Sequence, residues 1–369
     1  MAGRIVLFGA SGYTGALTAE ALVERGAQPV LAGRDRTKLE RLRARLGRDD
    51  LEIALADASD PSSVASLVAG GDVLVTTVGP FLRYGHAALE AAVAAPCVYI
   101  DSTGEPPFIR EVFESYGPRA ARSGAVLLTA LGYDYVPGNL AGALALEVAG
   151  EDAVRVDVGY FVDGRPTPDA MSGGTRASLA GVAGEPSFAF RGGSLATERA
   201  ARRVRTFELT VGSRKGISVG GSEHLALPRS FPQLEEVNVY LGWFAALSRP
   251  MQLVSAVGGA LRRLPAARAA TARLADALHK SGEGPSEATR ARVGSRIVAC
   301  AYDRSGRELA RVELAGVNAY DFTARMLALA ALRAKEGEIN GSGAVGPVEA
   351  FGLRALEQLV EEAGIRRVA

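Results

Sequence analysis

The tightest constraint on how this chain folds is the run Gly9-Ala10-Ser11-Gly12-Tyr13-Thr14-Gly15. It follows the apolar stretch Ile5 to Phe8 and opens the helix-patterned stretch TGALTAEALVERG. Glycines at 9, 12 and 15 let a backbone turn sharply out of a strand and approach an anion closely. The helix that follows begins with free N–H groups. Ser11, Gly12, Tyr13 and Thr14 therefore join the three glycines as a predicted pyrophosphate cradle. Such a cradle sits on a parallel sheet. The runs RIVLFGA, PVLAGR, LEIALAD, DVLVTTVG, CVYID and AVLLTALG, spread over residues 4 to about 131, have the Val/Ile/Leu content of strands buried on both faces. Helical stretches separate the first of them, TGALTAEALVERG and DRTKLERLRARLG, each ending in a C-capping glycine.

The end of the second strand separates the two nicotinamide cofactors. An NAD site places an acidic residue there for the ribose 2′-hydroxyl. Here stand Gly33 and Arg34, with Lys38 close behind. A guanidinium suits a 2′-phosphate, so NADP(H) is the predicted cofactor. Asp35, the next residue, keeps a ribose contact open. Asp57 and Ala58 follow the third strand, toward the adenine edge. Val78, Gly79 and Pro80 follow the fourth, where a nicotinamide ring would lie. Ser102, Thr103 and Gly104 after the fifth strand, and Asp134 after the sixth, lie at the same sheet edge and are counted with the cofactor site.

Beyond about residue 136 the pattern alternates, as in VRVDVGYFV, RVRTFELTV, VNVYLGW, RVGSRIVACAYD and ELARVELAG, which marks one-sided antiparallel strands. Asp303-Arg304-Ser305-Gly306 reads as a hairpin turn. After Tyr320 the chain turns helical, crosses a Gly/Ser-rich loop at 341–346, and ends in a helix at about 347–363. The expected fold class is α/β: a Rossmann-type doubly wound parallel sheet with a second α+β domain containing a mostly antiparallel sheet. The expected domains are an NADP-binding Rossmann domain at 1–135, completed by C-terminal helices at 318–369, and an α+β substrate or dimerisation domain at 136–317.

Composition removes other classes. The 42 Lys and Arg balance 41 Asp and Glu with no basic lobe, so nucleic acid is not an expected partner. Cys97 and Cys300 lie in no CxxC pattern, and the three histidines are far apart, so no metal site is expected. The Ile5–Phe8 run is too short for a signal peptide, which makes the cytoplasm the expected location. Arg249-Pro250 breaks the apolar stretch 240–264 below spanning length. That stretch holds Trp243 and suits an apolar substrate cleft, with peripheral membrane contact and homodimerisation left open.

Hydride transfer also needs an acid for the developing anion. Tyr133, after Gly132 at a sheet end, is the first candidate, with aromatic packing as the equal alternative. His86 and Tyr84 follow the Gly79-Pro80 turn; a histidine near a helix start is more often a cap or surface residue. Asp101 suits hydrogen bonds to the amides of the loop after it. Ser172, Gly173, Gly174 and Thr175 form a predicted turn whose amides hold a substrate oxygen. Tyr-x-x-x-Lys is missing, because Arg34, Val211, Asp276 and Ala331 stand four before the lysines. Short-chain dehydrogenase chemistry is thereby excluded. Neither cysteine has the loop of an acyl-phosphate reductase nucleophile.

GASGYTG, LAGRD, TTVGPF, YIDSTGE, LGYDYVPGNLAG, MSGGTRASL and AYDFTARMLALAAL follow one another along the chain. In that order they resemble the saccharopine dehydrogenase-like reductases, and within them the trans-acting enoyl reductase branch. The resemblance implies NADP-dependent hydride transfer to the C=C of a small or carrier-bound α,β-unsaturated acyl or polyketide-type substrate. Reduction of a C=N bond, as in the saccharopine branch, and a non-catalytic NADP-sensing role are the alternatives.

Overall fold

The structure, a computed structural model, describes residues 3–164, 172–173, 176, 186–242 and 284–369. Two sheets organise two bodies. In the first, six short strands alternate with helices: β1 (Ile5–Phe8), β2 (Val30–Gly33), β3 (Ile53–Leu55), β4 (Val73–Thr76), β5 (Val98–Asp101) and β6 (Val126–Leu128). Every residue of β1, β2 and β4 is buried, as the unbroken apolar runs require. With β15 (Gly343–Ala344) the order is β15-β6-β5-β4-β1-β2-β3, all pairs parallel. The order reverses between β1 and β4, which opens a crevice at their carboxyl ends.

Local signals account for the connections. Gly12 begins the helix Tyr13–Glu24 without a side-chain cap. Asp35 caps the helix Arg36–Arg45 by accepting the Lys38 amide at 3.1 Å. Asp60 caps Pro61–Ala65 in the same way. The Gly79–Pro80 peptide is cis.

The second body carries β7 (Arg155–Gly164), β8 (Pro186–Arg191), β9 (Ser194–Arg199), β10 (Val204–Phe207), β11 (Arg214–Val219), β12 (Glu236–Leu241), β13 (Val293–Tyr302), β14 (Glu308–Gly316) and β16 (Ile365–Arg367). Its main path runs β10-β11-β12-β7-β13-β14-β16. Only the β12–β7 pair on that path is parallel, so the mostly antiparallel expectation holds among the described residues. The predicted Asp303–Gly306 turn joins β13 to β14. The Asp303 carboxylate accepts the Ser305 and Arg307 amides at 3.0 Å each, and Gly306 takes φ 88°.

Three points differ from the sequence expectations. The 341–346 loop contributes strand β15, whose Gly343 amide reaches the Ala125 carbonyl at 2.8 Å. The terminal helix is broken at Gly352, φ 77°, into Pro347–Phe351 and Leu353–Glu362. Residues 352–369 cluster with the second body, not the first, as do 104–107. The cause is apolar: Leu356, Leu359 and Val360 are buried where Leu353–Glu362 packs on the helix Val136–Ala149. Ile365 then pairs with Gly316 on β14, where a Cβ at Gly316 would lie 2.0 Å from the Gly364 carbonyl oxygen.

Candidate cofactor site and catalytic edge

The glycine turn is built by close backbone approach. Gly9, at φ 89°, donates its amide to the Ala32 carbonyl at 2.9 Å, and its own carbonyl accepts the Gly12 amide at 2.9 Å. A Cβ on Gly15 would stand 2.1 Å from that carbonyl oxygen, and one on Gly9 would meet Thr77 Oγ1 and Val78 Cγ2 at 2.8 Å. The Thr77 hydroxyl donates to the Gly9 carbonyl at 3.2 Å. Loops after β1 and β4 thus touch across the switch point, with uncapped helix amides beside them. Glycine at 9 and 15 is what lets the turn, the first helix and the β4 loop approach this closely, and an uncapped helix start of this kind suits an anion such as a pyrophosphate. Ser11 lies next to Gly33, its Oγ 3.8 Å from where a Gly33 Cβ would be.

At the end of β2 Asp35 caps the following helix. Its carboxylate is taken by the helix cap, with Lys38 Nζ 4.0 Å away. Arg34 is exposed, and its charge reaches Asp57. Asp57 itself is a turn former: its Oδ1 accepts the Ser59 amide at 2.9 Å and hydroxyl at 2.7 Å. Those bonds, with a smaller contribution from Arg34, hold its carboxyl below the usual range. Ala58 and Val78 pack against one apolar cluster that includes Phe8, Ala32 and Leu74.

Further along the edge, Asp101 is buried. Its Oδ1 accepts the Thr103 and Ala130 amides at 2.9 Å each, and its Oδ2 accepts the Thr129 hydroxyl at 2.8 Å. Burial pushes its carboxyl up to about 6, against the pull of these bonds. Thr103 is buried and Ser102 half-buried, while Gly104 is exposed and belongs to the second body.

Tyr133 is buried, its amide donating to Thr323 Oγ1 at 2.9 Å and its ring edge-on to Phe322 at 6.4 Å. The structure thus records the aromatic packing weighed as its alternative role. Next to it, Asp134 has an enclosed Oδ1 without a hydrogen-bond partner, and burial pushes its carboxyl up to about 7. Local spacing does not encode which carboxylate oxygen loses water.

The other acid candidates have neighbours of their own. The His86 ring lies 3.1 Å from Glu111 and edge-on to Phe108 at 5.8 Å within the first body. Tyr84 lies under Arg83, whose guanidinium carbon is 5.0 Å from the ring centroid. Tyr13 meets Tyr320 edge-on at 5.1 Å. In the second body Ser172 and Gly173 are buried, and the Ser172 carbonyl accepts the Arg176 amide at 3.1 Å. Gly174, Thr175 and Trp243, with most of the 240–264 stretch, lie outside the described residues. Among the described residues no metal-binding group occurs, and no helix is long and apolar enough to cross a membrane.

Residues 5–128 match the family model described as the saccharopine dehydrogenase NADP binding domain. That match spans strands β1 to β6 of the first body. The chain is 40% identical over 181 residues to a Mycobacterium tuberculosis protein bearing the name of a putative trans-acting enoyl reductase, covering 47% of this chain and 43% of that one. It is 41% identical over 140 residues to the trans-acting enoyl reductase of Mycobacterium leprae, covering 37% and 34%. The aligned part thus spans less than half the length of these relatives. Saccharopine dehydrogenase (L-Glu forming) from Saccharomyces cerevisiae shares the fold over 100% of both chains, with TM-score 0.62 at 13% identity.

Two outcomes follow for the NADP-binding domain. Arg34→Ala is expected to weaken NADPH binding by roughly 1–3 kcal/mol and leave NADH unchanged; calorimetric titration showing equal loss for both removes the 2′-phosphate assignment. Asp134 titrates upward in the fold. It therefore stabilises while protonated, below its ordinary 3.8, and loses that contribution as pH rises through about 7. Asp134→Asn is expected to melt above wild type at pH 8 and to match it at pH 4. A shift of equal size at both pH values contradicts the assignment.

Proposed function

We propose that the protein is an NADPH-dependent oxidoreductase that reduces the C=C of an α,β-unsaturated acyl or polyketide-type substrate, free or carrier-bound. The observation that carries the cofactor half is the end of β2, where Asp35 is spent on a helix cap and Arg34 is left exposed. The names of the mycobacterial relatives support the acceptor half.

When bound, the cofactor supplies the hydride. The chain's part is to hold it and to manage one proton. Gly9, Ser11, Gly12, Tyr13, Thr14 and Gly15 hold the pyrophosphate, and Arg34 with Lys38 the 2′-phosphate. Val78, Gly79 and Pro80 face the nicotinamide half, as do Ser102 and Thr103. The anion left by hydride addition takes a proton from a group poised near neutrality. Asp134, with its enclosed and unbonded Oδ1, fits that task better than His86, which Glu111 holds, and Tyr133 flanks it. Ser172 and Gly173 belong to the acceptor side.

NADPH absorbance followed with α,β-unsaturated acyl thioesters of increasing chain length tests this directly. Consumption that rises with chain length is expected. Consumption only with cyclic imines or keto-acid and amine mixtures assigns C=N reduction instead. Tight NADPH binding without turnover in either panel, and with carrier-bound acyl chains, leaves a sensor.

A further inference from the structure

A carboxylate sealed from water is costly unless donors meet it. Asp101 at the end of β5 has no exposed surface, and three donors reach it. They come from two different loops. Thr103 belongs to the loop after β5, while Thr129 and Ala130 belong to the loop after β6. The backbone adds a fourth tie, from the Leu131 amide to the Asp101 carbonyl at 2.8 Å. Ala130 is held at φ 57°, the left-handed region that a side chain other than glycine's rarely adopts. Its amide donates to Asp101 from that conformation.

We infer that Asp101 is a positioning residue: through its hydrogen bonds it sets the two loops that carry Ser102, Thr103, Tyr133 and Asp134 against the nicotinamide half of the cofactor. The inference rests on the NADPH reading above. Residues supporting a reacting pair must hold their loops to within a fraction of an ångström, and one anion shared by two loops does so with fixed donor directions. The glycine turn and Arg34, which serve the other half of the cofactor, follow β1 and β2 and share none of these bonds.

Two probes separate the halves: NADPH, and 2′,5′-ADP, which has the phosphates but no nicotinamide. Asp101→Ala is expected to raise the Kd for NADPH at least tenfold, to abolish the fluorescence enhancement of bound NADPH, and to leave the Kd for 2′,5′-ADP within twofold. Asp101→Asn keeps an oxygen for both amides and an N–H for Thr129, so it is expected to restore NADPH binding to within threefold of wild type. Adding Ala130→Gly to Asp101→Ala relieves the left-handed alanine; Tm should recover while NADPH affinity does not.

Parallel weakening of both probes, or recovery of NADPH affinity together with Tm in the double variant, overturns the proposal and leaves Asp101 a purely structural residue. Should Asp101→Ala not fold, Thr129→Val removes one donor and is read in the same way, with a smaller loss confined to NADPH. Wild-type protein that binds neither probe contradicts the NADPH reading itself, a result distinct from any pattern among the variants.

Discussion

The first body depends on one close approach. Gly15 passes so near the Gly9 carbonyl that a methyl group there would lie 2.1 Å from its oxygen, and Thr77 clamps the same carbonyl from the neighbouring strand. That contact fixes where the first helix begins relative to β1 and β4. It also leaves the helix amides uncapped at the point where the strand order reverses. The geometry that buries the sheet thus presents helix-start donors without a side-chain cap, the kind of terminus that favours an anion.

The rest of the carboxyl edge is a series of carboxylates with different tasks set by their surroundings. Asp35 caps a helix by accepting the Lys38 amide. Asp57 is held low by Ser59 and shapes a turn. Asp101 is enclosed yet bonded through both oxygens. Asp134 is enclosed at Oδ1 and unbonded there, and it alone of the four reaches about 7. Residues of one type thus differ in solvation and hydrogen bonding: two shape local backbone, one is enclosed and bonded, and one is enclosed and unbonded at Oδ1.

Most of the first body was legible in the sequence because parallel strands read as unbroken apolar runs and its glycines fall where backbones touch. All six runs became strands, and GASGYTG became the turn. What was missed lacks such a signal. The Gly343–Ala344 strand is two residues long and looks like loop. The hairpin of β8 and β9 carries SLATER, whose mostly exposed residues give no apolar alternation. Gly352 was read as helix interior, although its positive φ turns the last eighteen residues onto the second body. In the site, the Thr77 clamp and the Thr323 contact to Tyr133 depend on long-range approach that local spacing does not encode. A buried cluster in the second body was equally invisible: Tyr160 donates to Glu223 at 2.6 Å and Asn139 to Ser222 at 2.9 Å, all from segments that read as ordinary helix and strand.

Discrimination between the two nicotinamide cofactors rests on the end of β2, with Arg34 exposed and Asp35 in a helix cap. Titration of the wild-type protein with NADPH and with NADH in the same buffer tests it most directly. With Asp35 committed to its cap and Arg34 free to meet a 2′-phosphate, NADPH should bind at least about tenfold more tightly, the effect of one charge-assisted pair. Equal affinities, or tighter binding of NADH, would contradict it.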